Sequence, residues 1–151
     1  MNHHVKALLV AAAAAAVPLL APAGANAATG AESYCFAKSA VSPGAWVGTY
    51  APVAADGSCD AASGLAMASH LTAATVQTGQ VLHIEIRWQF FDADGKLAFQ
   101  TDQKGLLKLG SGDVVLNGTV TAGDRLGART HDQGSPTDAN GSYAGVMRVQ
   151  S

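Results

Sequence analysis

The stretch Val81-Leu82-His83-Ile84-Glu85-Ile86-Arg87-Trp88-Gln89-Phe90-Phe91 leaves this chain few folds to choose from. Leu82, Ile84, Ile86, Trp88 and Phe90 fall on one side of an extended backbone, and Val81, His83, Glu85, Arg87 and Gln89 on the other. Side chains alternate faces in a strand, so the pattern predicts a β-strand with one buried and one wet face. A helix would scatter the same apolar residues around its circumference, and β-branched and aromatic side chains suit the pleated surface. The register is fixed too, because a slip of one residue would bury His83, Glu85 and Arg87. Trp88 is expected in the core.

Similar alternation and turn chemistry recur along the chain. Tyr34-Cys35-Phe36 reads as a short first strand, and Ala45 to Tyr50 as a second that ends at Pro52. Asp60 to Leu71 is open between helix and strand: Asp60 suits a helix cap, while Gly64 opposes a helix. Thr72 to Gln77 is β-branched and favours strand, before a turn at Thr78-Gly79-Gln80. Asp92-Ala93-Asp94-Gly95 predicts a hairpin, with Leu97 and Phe99 inward on the return strand. Leu106 to Leu109 reads as a separate short strand. Val114, Leu116 and Val120 alternate through the next, then Leu126, Ala128 and Thr130. His131 to Asn140 reads as a polar loop, and Tyr143, Gly145, Met147 and Val149 as the last strand. Short strands at regular spacing predict an all-β, single antiparallel β-sandwich, jelly-roll or immunoglobulin-like.

The chain of 151 residues is long enough for one domain. Its first part reads differently. Lys6 precedes the apolar run Ala7 to Leu20, followed by Pro22, Gly24 and the small-x-small triplet Ala25-Asn26-Ala27. That is the pattern of a cleaved secretory signal peptide. The expected organisation is therefore a signal peptide over 1–27 and a β-sandwich domain over 28–151, placed outside the cytoplasm as a secreted or periplasmic protein. The alanine-rich leader has a bacterial style. Export to an oxidising compartment predicts a disulfide between Cys35 and Cys59, the two cysteines of the chain.

Without Lys6 the remaining chain carries eight cations against eleven anions, a net charge of −3. No basic stripe is visible, which argues against nucleic acid as a partner. No membrane span is expected in the mature chain. The expected partners are a protein or carbohydrate ligand, with homo-oligomerisation left open.

Catalytic signatures are sparse. His83 and Glu85 share a wet face, but a metal site needs a third ligand, and neither His70 nor His131 can be placed beside them from sequence. Asp92-x-Asp94-Gly95 resembles the start of a calcium loop, but Lys96 and Gln103 stand where oxygen ligands belong. Gly-x-Ser-x-Gly is absent, and no Gly-rich loop opens a helix. Neither a cofactor nor a catalytic residue is assigned. Trp46, Tyr50 and Tyr143 could form a ligand-stacking platform, or serve as ordinary core. Asn117-Gly118-Thr119 and Asn140-Gly141-Ser142 match the glycosylation sequon.

The runs Ser111-Gly112-Asp113-Val114-Val115-Leu116, Thr121-Ala122-Gly123-Asp124-Arg125-Leu126 and Ser142-Tyr143-Ala144-Gly145-Val146 resemble the closing strands of C1q/TNF-like jelly rolls. The resemblance implies a jelly-roll fold and a trimeric, non-enzymatic binding module. Together these readings lead to an exported β-sandwich binding or structural module without catalytic machinery. Its binding loop would carry His131, Asp132, Asp138 and Asn140. The alternatives are an enzyme inhibitor acting through that loop, or a small secreted hydrolase.

Overall fold

The computed structural model describes residues 30–76 and 79–151. The expected leader and the turn residue Thr78 lie outside the described residues. Eight strands make up the fold: β1 (Ala31–Ser42), β2 (Ala45–Pro52), β3 (Leu65–Val76), β4 (Val81–Phe91), β5 (Leu97–Lys108), β6 (Val114–Gly123), β7 (Arg129–Pro136) and β8 (Tyr143–Gln150). Each pairs antiparallel with its sequence neighbour, and β1 also pairs with β8, from Ala31 opposite Gln150 to Lys38 opposite Tyr143. The result is a closed barrel.

This overturns the predicted sandwich, and with it the jelly-roll fold implied by the resemblance to C1q/TNF-like domains. A jelly roll needs long crossovers between two sheets. Here no strand leaves its neighbour, and the sheet closes on itself. Alternation could not distinguish the two architectures, because both bury every second residue.

The inward face of β4 is as expected: Ile84, Ile86, Trp88 and Phe90 are buried. Phe99, Leu116, Val120, Met147 and Val149 join them from β5, β6 and β8. Two inward assignments fail. Leu97 is exposed, because a register shift at Phe90/Phe91 lets the hairpin pass it outward. Leu126 is exposed in the turn before β7, which begins only at Arg129. The ambiguous region resolves into a 3-10 turn at Ala61–Ser63 followed by β3. Leu106 belongs to the long β5. The predicted loop from His131 is strand as far as Pro136, so the polar connection shortens to residues 137–142.

Curvature has a local cause. Gly145 and Gly134 lie opposite each other in β8 and β7. A Cβ on Gly145 would come within 2.7 Å of both the Gly134 Cα and the Phe36 Cζ. The bare wall at this pair is the space that the Phe36 ring fills, and inward glycines are a recognised means of bending a strand into a barrel.

The connection from β2 to β3 folds back over the outside of the barrel. Val53 N–H donates to the Ser33 carbonyl at 2.8 Å. Cys35 points outward from β1 beneath this connection and is bridged to Cys59, with a Cα–Cα distance of 5.5 Å. Closing the intervening 24-residue separation stabilises the fold by roughly 3 kcal/mol in the chain-entropy model. Replacing both cysteines with serine is expected to lower the denaturant midpoint accordingly. Equal midpoints for the two proteins would contradict this.

The outer surface carries cross-strand ion pairs. Arg87 Nε and Nη2 donate to the two Asp102 carboxylate oxygens at 2.7 and 3.1 Å, and the bond holds the Asp102 carboxyl below its usual range. Lys104 pairs with Glu85 at 3.2 Å. Among the described residues no helix is long and apolar enough to cross a membrane.

Candidate functional site

The two ends of the barrel differ. At one end the inward residues are Tyr34, Tyr50, Phe90 and Phe99, and they fill it. Phe90 and Phe99 stack with centroids 4.4 Å apart, and Tyr50 meets Phe90 edge-on at 4.8 Å. Arg125 closes this end. Its guanidinium lies over the Tyr34 and Phe99 rings and bonds both the Tyr34 hydroxyl and Glu32. Arg125 has a φ of 65°, a left-handed conformation uncommon for a residue with a side chain. Burial, reinforced by the bond to Glu32, pushes the Tyr34 phenol up to about 12.

At the other end the inward residues do not fill the barrel. A cavity of about 90 Å³ remains, lined by Phe36, Trp46, Trp88 and Tyr143, by aliphatic side chains including Ile84 and Leu107, and by two charged residues, Lys38 and Asp132. The cavity faces the connections after β1, β3, β5 and β7. Trp46 fixes one side of its mouth, where its indole N–H donates to the Gly141 carbonyl at 2.9 Å.

Strand parity places both charges inside. Lys38 follows Tyr34 and Phe36 on the inward side of β1, and Asp132 lies between the inward Thr130 and Gly134 of β7. They are 7 % and 1 % exposed. The Lys38 ammonium lies 4.0 Å from the Trp88 ring centroid and 4.7 Å from that of Trp46. Its hydrogen-bond partner is the Ser69 hydroxyl, at 3.3 Å. Cation–π contact of this kind stabilises a desolvated ammonium by up to about 2 kcal/mol.

Asp132 has less support. Its Oδ1 is buried without a hydrogen-bond partner, and it does not close to ion-pair distance with Lys38. A buried carboxylate in that position is costly. Burial accordingly pushes the Asp132 carboxyl up to about 7, with the Lys38 charge opposing the shift. Burial likewise pulls the Lys38 amine down to about 8, against the attraction of Asp132. The cavity therefore holds one acid and one base that both titrate near neutrality. Deeper in the barrel, the Gln103 side-chain amide donates to the Thr130 hydroxyl at 3.0 Å, while Thr101 Oγ1, Gln103 Oε1 and Trp88 Nε1 have no partner.

Of the residues expected on a binding loop, only Asp132 faces this cavity. His131 points outward, with Nδ1 2.8 Å from Asn117 Oδ1. Asp138 accepts from the backbone N–H groups of Asn140 and Ser142, so it shapes the turn in which Asn140 sits. Trp46 and Tyr143 of the expected stacking platform line the cavity, whereas Tyr50 belongs to the filled end. His70, His83 and His131 stand on three different strands, and among the described residues no three His, Cys, Asp or Glu side chains cluster. Sequence reasoning missed Lys38. The available signal was its parity with Tyr34 and Phe36, which puts an amine on an aromatic inward face. No protein-family model, curated protein or solved structure matches this chain.

Proposed function

We propose that the protein is an exported binding barrel that takes the short apolar end of a small molecule into its lumen. The observation that carries this reading is the cavity itself: an aromatic and aliphatic wall with two convergent polar groups, Lys38 and Asp132. Ligand sites share that make-up, an apolar lining with a few placed polar groups, and small barrels commonly place them at the mouth.

Size limits the ligand. The cavity of about 90 Å³ is smaller than the ~150 Å³ hole that accepts benzene in an engineered protein core. A short branched chain is therefore the most that fits whole without side-chain movement, and an aromatic ring enters only in part. A hydrogen-bond acceptor on it would face Lys38, and a donor would satisfy Asp132 Oδ1. Val41, Val76 and Leu109, exposed near the mouth, offer apolar surface to any part that projects.

Both tryptophans of the chain, Trp46 and Trp88, line the cavity, so they report on it directly. Titration with benzyl alcohol is expected to shift both indole N–H signals in a saturable way in an ¹⁵N-correlated NMR spectrum. Leu107→Phe, which narrows the cavity, is expected to weaken the effect. Unshifted indole signals across a panel of one-ring alcohols, phenols and amides would contradict the proposal.

Export rests on the leader-like sequence before Ala28. Mass spectrometry of the exported protein is expected to give a chain that begins at Ala28. An intact Met1 in that material would remove this part of the proposal.

A further inference from the structure

We infer that Lys38 is a carbonyl-reactive amine, and that the lumen captures a small aldehyde or ketone as an imine on Lys38 Nζ while Asp132 moves the protons. The inference rests on the ligand-binding reading of the same cavity and names the class of ligand it takes.

Geometry comes first. Among the described residues Lys38 is the one lysine in the lumen; Lys96, Lys104 and Lys108 are exposed on the outside. Its ammonium lacks a carboxylate within ion-pair distance and is held by aromatic faces and by Ser69 Oγ. An ammonium that serves only structure is expected to sit against its counter-ion. Here the cavity is lined by both groups, and the carboxylate oxygen Oδ1 is unpartnered. A carbonyl carbon admitted through the mouth would meet the amine with an acid–base group on the same cavity wall. Desolvated lysines next to apolar walls are the usual nucleophiles of imine chemistry.

The step balances without a further reactant. The neutral Lys38 amine attacks the carbonyl carbon, and the C=O π pair moves to oxygen. One N–H proton passes through the Asp132 carboxylate to that oxygen, giving a carbinolamine. The second N–H proton follows the same route as the C–O bond breaks, so the oxygen leaves as water. The C=N bond forms, and Asp132 returns to its starting state. Nothing is oxidised or reduced.

The ionisable groups facing Lys38 are Asp132 from β7 and Tyr143 from β8; the other cavity-lining residues carry no titratable side chain. Tyr143 is itself held above its usual range by burial and by Asp113. With the amine at about 8 rather than near 10.4, its neutral fraction at neutral pH is about 200-fold larger than that of an exposed lysine.

The test is reductive trapping of the intact protein with benzaldehyde and cyanoborohydride, read by intact mass and peptide mapping. The expected result, apart from labelling of the α-amine, is a benzyl adduct on Lys38 formed well before any on Lys96, Lys104 or Lys108. Lys38→Arg should abolish the fast adduct. Asp132→Asn should slow it by about 10²-fold or more if the carboxylate relays protons. Labelling of Lys38 no faster than of the exposed lysines overturns the proposal. Benzyl alcohol separates the two readings, because it matches benzaldehyde in size and lacks the carbonyl. Alcohol binding without Lys38 trapping defeats the imine and leaves the binding barrel standing. Failure of both defeats both.

Discussion

Replacing Trp88 with alanine is expected to cost about 3–5 kcal/mol, a large share of the ~5–15 kcal/mol that holds a typical domain folded. Trp88 is 1 % exposed near the middle of β4 and meets Phe36 edge-on at 4.9 Å. Three losses add together. The indole's apolar surface is no longer buried. The hole it leaves joins the existing cavity, so the walls cannot collapse onto a filled core. Lys38 loses the aromatic face that lies 4.0 Å from its ammonium. Trp88→Phe retains an aromatic face and should recover much of the loss. The check is the urea midpoint of the three proteins, with the disulfide intact in all. A midpoint for Trp88→Ala close to that of the parent would show that the indole is not part of the core.

The second large effect concerns pH. Asp132 has a raised folded value, so between about 4 and 7 the folded state holds a proton that the unfolded state has released. Stability therefore falls as pH rises through that window. Lys38 has a lowered folded value, so between about 8 and 10.4 the unfolded state holds the extra proton. Stability then rises with pH. The contribution of the pair is least favourable between about 7 and 8, where both groups are charged and buried. Stability against pH should thus show a trough near neutrality, superimposed on the effects of the surface carboxylates. The double variant Lys38→Met with Asp132→Leu should remove the trough and be more stable at pH 7.5 by about 1–4 kcal/mol, the range found when buried opposite charges are replaced by apolar groups. If the trough persists in the double variant, it originates elsewhere.

A trough at neutral pH is a poor design for stability alone. Two charges that weaken the fold under working conditions fit a site whose ligand supplies what the protein leaves unsatisfied. Binding to the native state would recover part of the cost.

Much of the fold could be read from residue alternation. The inward sets of β4 and β8 are correct because each strand has a dry face against a wet one, and the pleat permits only one assignment. Leu97 and Leu126 fail for a definite reason: one follows a register shift and the other sits in a turn, so parity cannot be carried through them. Closure was not legible. The pairing of β1 with β8 joins residues more than a hundred positions apart, and period-two alternation carries no trace of it. The inward glycines Gly48, Gly105, Gly118 and Gly145 were the available hint, since a Cβ on any of them would collide with a neighbouring strand. The cavity was half legible. Trp46 and Tyr143 were grouped correctly, but with Tyr50 rather than with Lys38. Asp132 was assigned to a loop because His-Asp-Gln-Gly-Ser-Pro is polar throughout, and polarity was read as exposure. In β7 that polarity belongs to two faces, one wet and one turned into the lumen.

The seam between β1 and β8 also shapes how the chain must acquire this structure. The other seven pairings join consecutive strands across the connections between them, so each can form from residues close in sequence. The seam must wait for the last strand, because its partners sit at opposite ends of the described chain. Until then β1 and β7 both present unpaired backbone edges to whatever is nearby. The folding rate then depends on one slow, entropically costly encounter, not on the average over eight pairings. A chain still emerging during synthesis stays an open sheet until β8 arrives, and becomes edge-free only then.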